Sequence, residues 1–191
     1  MKNITFETIK DENIEICRGL CNELMEFQQS KAIIHPEKFD DMNFDTRMKS
    51  SCEKALDSQI VIARDGNTPV GYVFSTLDYV TAEDKNAYPG WAPQGENNTG
   101  FYPDWVKTPR KIGVLSNLYL RGQYRHMRLG SKLFEAAMEW LQSLRDIELI
   151  FVFISNGNTA ALDFYLSHGF TFSHDVFGGF IQAAYRRVSA G

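Results

Sequence analysis

The sequence predicts a single-domain α/β (α+β) protein in which helices flank a mixed central sheet. Short apolar segments with β-type spacing alternate with longer segments whose apolar residues recur every three or four positions, as in helices. One run, residues 148–154 (ELIFVFI), is almost continuously apolar and suits a strand buried on both faces. With 191 residues, of which 43% are hydrophobic and 23% charged, the chain has the composition of one well-buried domain, residues 1–191.

Charge and cysteine content narrow the functional classes. A net charge of −4 argues against a dedicated nucleic-acid-binding protein. No apolar run reaches the length of a membrane span, and the N-terminus lacks the apolar core of a signal peptide, so we expect a cytoplasmic protein with no membrane partner. Cys17 and Cys21 stand one helical turn apart on an apolar face, which favours reduced core residues over a disulfide. The sequence contains no His/Cys cluster of the kind that binds zinc, so no metal site is predicted.

The N-terminal part predicts a strand and two helices. Residues 4–9 alternate apolar and polar side chains and suit an edge strand. A helical pattern begins at Asp11, whose side chain can cap the start. The predicted buried face of this helix consists of Ile14, Cys17, Leu20, Cys21, Leu24 and Gln28. Pro36 breaks the connector that follows, and residues 44–56 predict a second short helix.

A hairpin and a long irregular insertion come next. Residues 60–63 and 70–80 read as two strands joined by the turn Asp65-Gly66-Asn67. Residues 81–110 are irregular and rich in aromatic side chains, which disordered segments lack. These aromatic residues are Tyr88, Trp91, Phe101, Tyr102 and Trp105. The segment is predicted either as an ordered flap that packs over a cleft or as a loop anchored to the outside of the core.

The C-terminal half predicts strand, helix, strand, helix and a final hairpin. Apolar β-type residues in 112–120 are followed by a helical pattern from Leu129 to Leu144. The buried strand 148–154 precedes a short helix, residues 159–167, ended by Gly169. Residues 170–176 and 180–187 form the hairpin, whose apolar edge could support a homodimer.

A basic loop joins strand 112–120 to its helix. No acidic residue occurs between Asp104 and Glu135, although the chain is acidic overall. Positive side chains, unpaired amides at a helix N-terminus and a glycine at 130 together favour phosphate binding. A solvated basic turn before an ordinary helix would give the same short pattern.

Two motifs resemble those of the GNAT acyltransferases. Residues 125–130, RHMRLG, resemble the pyrophosphate loop Q/R-x-x-G-x-G/A, with Arg128 in place of the first glycine. Residues 158–170 resemble a second motif, N-x-x-A-x-x-x-Y-x-x-x-G-F, through Asn158, Tyr165 and Gly169. The resemblance covers about residues 60–185 and implies a GNAT-like, largely antiparallel sheet with splayed central strands. The path of the loop is an open question, because arginine rarely adopts a left-handed conformation.

The same resemblance implies a direct transfer of an acetyl group from acetyl-CoA (coenzyme A) to a primary amine. Backbone amides of the loop would hold the cofactor's pyrophosphate, with Arg125 and Arg128 adding charge. The implied loop residues are Arg125, His126, Met127, Arg128, Leu129, Gly130 and Ser131. Leu118, Tyr119 and Leu120 would lie along the pantetheine arm, and Asn158 would hydrogen-bond the cofactor. Tyr165 would be the general acid that protonates the thiolate; a core tyrosine is the alternative.

The general base and the acceptor are less defined. Many relatives place a glutamate on the strand before the loop, where this chain has Ser116 and Asn117. Asn117 could position a water, while Asp78 or Asp104 could act as the base. Carboxylates and aromatic rings near the predicted acceptor end suit a small cationic amine. The predicted acceptor-binding residues are Asp78, Trp91, Tyr102, Asp104 and Trp105, with Glu83, Asp84 and Glu96 adding charge.

Other functions stay open at this point. A protein or peptide N-acetyltransferase would need an open groove in place of a closed slot. A non-catalytic acyl-CoA-binding regulatory module would bind the cofactor without turnover. A nucleic-acid-binding role for the basic patch is disfavoured, since few aromatic residues interleave with its arginines.

Overall fold

The computed structural model describes residues 3–93 and 99–188. These residues form a seven-stranded sheet with strand order β1-β2-β3-β4-β5-β7-β6. The strands are β1 (Ile4–Ile9), β2 (Asp57–Asp65), β3 (Thr68–Val80), β4 (Arg110–Leu120), β5 (Leu149–Ser155), β6 (Thr171–Val176) and β7 (Ile181–Arg187). Neighbouring strands are antiparallel except β4 and β5. The predicted α/β class with a mixed, largely antiparallel sheet is confirmed.

Helices cover both faces of the sheet. They are α1 (Arg18–Lys31), α2 (Ser50–Lys54), α3 (Ala82–Asn86), α4 (Leu129–Ser143) and α5 (Thr159–Ser167). On one face, called the α1 face below, α1 packs on side chains such as Tyr72 and Phe74 of β3. On the opposite α4 face, α4 and α5 pack on Val73 and Leu115. The core therefore lies in two layers, as expected of a central sheet buried on both sides.

The central strands diverge where β4 meets β5. Their parallel pairing joins Gly113 to Ile150, Val114 to Phe151 and Leu115 to Val152, and it ends there. At the same level Ser116 is an extra residue in β4. On β3, Phe74 faces Asn117 and Ser75 faces Leu115, so Ser116 has no partner in the pairing. Beyond this bulge β4 stays paired with β3 and β5 stays paired with β7, so a slot opens between them.

The N-terminal helices differ in detail from their prediction. Residues Asp11–Cys17 form a 3₁₀ helix before α1, and Asp11 lies inside it instead of capping it. The Asp11 carboxylate accepts a hydrogen bond from Ser58 at 2.5 Å, a contact 47 positions away that local pattern cannot indicate. The predicted helix 44–56 consists of a π-helix, Asp45–Lys49, continued by α2.

The described part of the 81–110 insertion packs on the α1 face. It begins with α3, which Thr81 and Asp84 start with a reciprocal capping box. Tyr102, only 8% exposed, lies against Phe151 and Phe153 of β5 at ring distances of 5.2 and 5.8 Å. Tyr102 thus joins the core, Tyr88, Trp91 and Phe101 pack against it, and Trp105 stays exposed. Glu96 lies outside the described residues.

Two glycines fix how the chain leaves β5 and α5. A Cβ on Gly157, whose φ is +76°, would stand 1.9 Å from the Lys31 carbonyl, so the end of α1 meets this turn at a glycine. Gly169, at φ +84°, ends α5 as predicted. The amide of Gly169 donates to the Leu166 carbonyl and that of Phe170 to Tyr165, which is a Schellman motif.

Candidate active site

The basic loop between β4 and α4 has the geometry of an anion-binding site. His126 and Arg128 both have left-handed backbones, with φ of 62° and 59°. Arg128 therefore adopts the conformation that glycine favours. The amides of His126, Arg128, Leu129, Gly130 and Ser131 donate no hydrogen bond to any residue in 3–93 or 99–188. A Cβ on Gly130 would meet nothing within 4 Å, so these donors border open space at a helix N-terminus.

The two arginines of the loop behave differently. Arg125 turns back, donating from Nε to the Leu120 carbonyl at 3.1 Å, and its guanidinium lies 4.7 Å from the Phe27 ring centre of α1. Arg128 and Met127 are exposed, and Lys132 lies one turn further along α4. The positive charge nearest the free amides is thus that of Arg128, while Arg125 ties the loop to α1.

The C-terminal part of β4 offers backbone groups to the slot. Arg121 donates from its amide to Val70 of β3, and backbone directions alternate along an antiparallel strand. The amides and carbonyls of Leu118 and Leu120 therefore point toward the slot, while those of Tyr119 face β3. A bidentate ion pair between Arg121 and Glu23 of α1, at 2.6 and 2.9 Å, holds this end of the strand.

Asn158 and Tyr165 lie on the other side of the slot, at α5. The Asn158 side chain is half-buried and makes no hydrogen bond within the described residues. Tyr165 is 6% exposed and packs among Phe134, Phe164 and Phe170. Burial raises the pKa of the Tyr165 hydroxyl, so it stays protonated at neutral pH and can donate a proton.

A polar strip crosses the α1 face beside the bulge. Side chains of Thr76 and Asp78 share this face because strand side chains alternate, and the Thr76 hydroxyl lies 3.4 Å from that of Ser116. Burial raises the pKa of the Asp78 carboxyl, the nearby Asp84 raises it further, and Thr76 opposes the shift. Asn117 lies in the bulge, half-buried, with no side-chain hydrogen bond inside the described ranges. A carboxylate with an elevated pKa is a better proton acceptor near neutral pH.

The remaining predicted acceptor residues are spread across the insertion. Burial, followed by the charges of Asp78 and Asp84, raises the pKa of Tyr102. Asp104 is fully exposed and pairs with Lys85 at 3.5 Å. Trp105 stacks on Phe151, and the Arg187 guanidinium lies 5.6 Å from its ring centre.

Trp91 is also covered by an arginine of the protein. The Arg47 guanidinium lies 4.9 Å from the Trp91 ring centre, and the ring contacts Phe177 and Phe180 of the β6–β7 turn. The two tryptophans predicted to receive a cationic substrate are therefore in contact with internal cations. Arg47 had no sequence signal, because it lies in a weakly patterned helix 44 positions before its ring partner.

Asn156 is a second residue that the sequence did not single out. Its side-chain oxygen accepts hydrogen bonds from the amides of Ile33 and Ile34, both at 2.7 Å. Its side-chain nitrogen donates to the carbonyls of Ile34 and Phe180, both at 3.0 Å. One buried amide thus joins the loop after α1, the end of β5 and the β6–β7 turn around the slot. The sequence signal that could have identified Asn156 is its position directly after a buried strand.

Two surface pockets lie away from these residues. One is lined by Thr8–Glu12, Ser58, Gln59 and Trp140, and the other by Asp11, Ile14, Lys49, Cys52 and Glu53. Neither contains a predicted site residue. Within residues 3–93 and 99–188, no helix has the length and apolarity to cross a membrane, and no three His, Cys, Asp or Glu side chains are grouped to hold a metal ion.

Comparisons with known proteins agree with this geometry. The model of the acetyltransferase (GNAT) family matches residues 20–170. No curated protein matches the chain by sequence. Among solved structures, the PaiA N-acetyltransferase of Thermoplasma acidophilum, in complex with coenzyme A, has 14% identity and a TM-score of 0.61, over 97% of this chain and 99% of that one.

Two further structures have similar scores. The ribosomal-protein-S18-alanine N-acetyltransferase of Escherichia coli has 12% identity and a TM-score of 0.55, over 99% of this chain and 96% of that one. Arabidopsis thaliana NAA60, in complex with a bisubstrate analogue, has 13% identity and a TM-score of 0.57, over 99% of this chain and 100% of that one. At these identities the likeness shows the shared fold.

Proposed function

Because the chain belongs to the GNAT family of acetyltransferases, we propose that it transfers the acetyl group of acetyl-CoA to the primary amine of a small molecule. The observation that carries the proposal is the slot between β4 and β5, bordered at one end by the free amides of the loop. Residues 1–191 would act as one catalytic domain with 81–110 as its flap. The unpaired, buried Cys17 and Cys21 support a cytoplasmic location for it.

The residues around the slot fit coenzyme A. Amides from His126 to Ser131 would bind its pyrophosphate, with Arg128 adding charge. Backbone groups of Leu118 and Leu120 and the side-chain amide of Asn158 would bind the pantetheine arm. When bound, acetyl-CoA would supply the acetyl group as a thioester.

Proton transfers would use groups on both sides of the sheet. Asp78 would accept the proton of the amine, because its raised pKa suits a base working near neutral pH. The Thr76 hydroxyl, on the same face of β3 as Asp78, lies 3.4 Å from that of Ser116 in the bulge, so these two hydroxyls would extend the reach of Asp78. Tyr165 would donate a proton to the thiolate, since its hydroxyl stays protonated.

A peptide acceptor is the second candidate. One structural neighbour is named for a ribosomal-protein alanine and another was solved as the NatC complex bound to Gag peptide and CoA. Against this, Asn156 and the aromatic contacts of the insertion cover part of the α1 face beside the end of β5, which favours a smaller acceptor.

The test measures thiol release from acetyl-CoA with polyamines, aminoglycosides, amino acids and short peptides as acceptors. Calorimetry with acetyl-CoA alone accompanies it. We expect turnover with one small-molecule class and a decrease of about 10²- to 10⁴-fold in kcat for Tyr165→Phe, with unchanged acetyl-CoA binding. His168→Phe, at the end of the same helix, is the matched control.

Each outcome has a distinct meaning. Turnover of peptides alone would favour the second candidate. Binding of acetyl-CoA without any turnover would favour a regulatory acyl-CoA-binding module. Absence of acetyl-CoA binding would contradict the assignment of the loop and slot.

A further inference from the structure

Arg47 lies against the core without the carboxylate partner that several other arginines have within the described residues. Arg18, Arg64, Arg110 and Arg121 each contact a carboxylate. The Arg47 guanidinium, in contrast, donates no hydrogen bond and forms no ion pair within residues 3–93 and 99–188. It is half-buried, and a buried guanidinium without an acceptor is costly because its charge has left water.

Arg47 lies between α1 and the insertion on the α1 face of the sheet. On one side it lies close to Cys21 of α1, which packs with Tyr72 of β3; Tyr72 in turn pairs with Tyr119 in the diverging part of β4. On the other side it stacks on Trp91. That ring contacts Phe180, whose carbonyl is bound by Asn156 at the end of β5. Arg47 therefore lies on the α1 face between α1 and the insertion, and its neighbours lead to β4 through Cys21 and Tyr72 and to β5 through Trp91 and Phe180.

Within residues 3–93 and 99–188, the surroundings of Arg47 restrain it without supplying an opposite charge. Its guanidinium carbon lies 4.9 Å from the Trp91 ring centre, and the ring supplies no hydrogen-bond acceptor. Burial lowers the pKa of Arg47, yet an arginine stays protonated in proteins. A planar, pre-oriented guanidinium suits a carboxylate, which it binds through two parallel hydrogen bonds.

We propose that Arg47 binds a carboxylate of the acceptor, so that the acceptor is an amino acid or another small amine bearing a carboxylate. This inference rests on the proposed function. The ammonium end of such a zwitterion would approach the bulge near Asp78, while the carboxylate would reach Arg47. Opposite charges at the two positions would thus orient one small molecule across the α1 face.

The test compares carboxylates with their neutral amides. α-, β-, γ- and δ-amino acids, each with its primary amide, are measured by calorimetry on the free protein and on its coenzyme A complex. Thiol release with the same compounds gives KM and kcat. In the wild type, the best acid should bind and react about 10- to 100-fold better than its amide, the factor expected for a charge-assisted hydrogen bond.

Variants assign this preference to Arg47. In Arg47→Gln, the affinity and kcat/KM for the acid should fall to the values for its amide, mainly through a higher KM for the acid. The KM for acetyl-CoA should stay unchanged. Arg47→Lys should keep part of the preference, because a point charge remains without the paired hydrogen bonds. Arg18→Gln is the matched control: it removes the same charge nearby, but Arg18 already pairs with Glu15 and Asp45.

The outcomes separate this inference from the proposed function. Amides that bind as tightly as acids, or an equal loss for both in Arg47→Gln, would overturn the role of Arg47 even if acetylation occurs. If no compound releases thiol, the proposed function is in doubt, but calorimetry still measures the acid-to-amide ratio. A wild-type ratio near one overturns the inference in that case too.

Discussion

Two aspartates beside the insertion differ in the chemistry that their surroundings allow. Asp104 is fully exposed and pairs with Lys85, so water and the Lys85 ammonium stabilise its charge. Asp78 lies half-buried on β3, where desolvation and Asp84 raise the pKa of its carboxyl. The sequence offered both as candidate bases. Burial separates them, and burial depends on strands that are distant in sequence.

Asp78→Asn tests the role of this carboxyl through activity and stability together. We expect kcat/KM to fall about 10²- to 10⁴-fold, and the acid limb of the wild-type pH profile to disappear. The native state favours the protonated acid, so the wild type loses stability as pH rises from the ordinary aspartate pKa through the raised one. Thermal melts should therefore show the variant more stable than the wild type at pH 7, with no gain below about pH 4.

Asp104→Asn is the control for this experiment. Both its pH profile and its melting temperature should match those of the wild type. An unchanged pH profile in Asp78→Asn would remove Asp78 as the base and leave the stability effect as purely structural.

In the loop before α4, the path of the backbone prevails over the conformational preference of the residue that occupies it. A left-handed backbone costs an L-residue about 1–2 kcal/mol, yet Arg128 adopts one at the position where the family motif has glycine. The helix N-terminus and the diverging strand fix the path of the loop at both ends. The unusual arginine is therefore expected to affect the energy of the loop through its strained backbone.

Arg128→Gly and Arg128→Ala should separate strain from charge. Both remove the guanidinium, so both should weaken acetyl-CoA binding to a similar extent in calorimetry. Glycine alone relieves the backbone, so urea unfolding should give the glycine variant a free energy of unfolding about 1 kcal/mol above that of the alanine variant. Arg145→Ala, which removes an exposed charge beyond the other end of α4, should leave acetyl-CoA binding unchanged. A glycine variant less stable than the alanine variant would contradict the strain argument.

Elements with local signals were predictable, and contacts between distant segments were not. The hairpin of β2 and β3 follows from alternating residues around Asp65-Gly66-Asn67, and the end of α5 follows from Gly169. The helical segment starts at Asp11 as predicted, but the capping role of Asp11 was wrong, because its carboxylate accepts a hydrogen bond from Ser58. The pairing of Arg47 with Trp91 has no periodic signal, since an irregular insertion brings the ring into place.

At the scale of the whole molecule, the sheet consists of two sections joined by a short seam. Strands β1–β4 pair with neighbours in the order of the chain, and β6 and β7 form a hairpin beside β5. The seam between β4 and β5 has three residue pairs, from Gly113–Ile150 to Leu115–Val152. It joins residues far apart in sequence, so its closure costs more chain entropy than that of a hairpin.

This difference predicts an order of folding. Ile60→Val lies in the β2–β3 hairpin and Ile150→Val lies at the seam; both side chains are fully buried, and each change should cost about 0.5–1.5 kcal/mol. We expect Ile60→Val chiefly to slow folding and Ile150→Val chiefly to speed unfolding, as measured by stopped-flow kinetics in urea. If both variants changed the folding and unfolding rates in the same proportion, the result would contradict a seam that forms late in folding.

A seam that closes last also links folding to ligand. Before it closes, the chain can hold both hairpin sections and still have no slot, because the slot exists only where the joined strands begin to diverge. A compound bound there stabilises the completed state alone, by an amount that grows with its concentration above Kd. The concentration of the cofactor in the cell would thus set the lifetime of the folded protein, as well as the rate of its reaction.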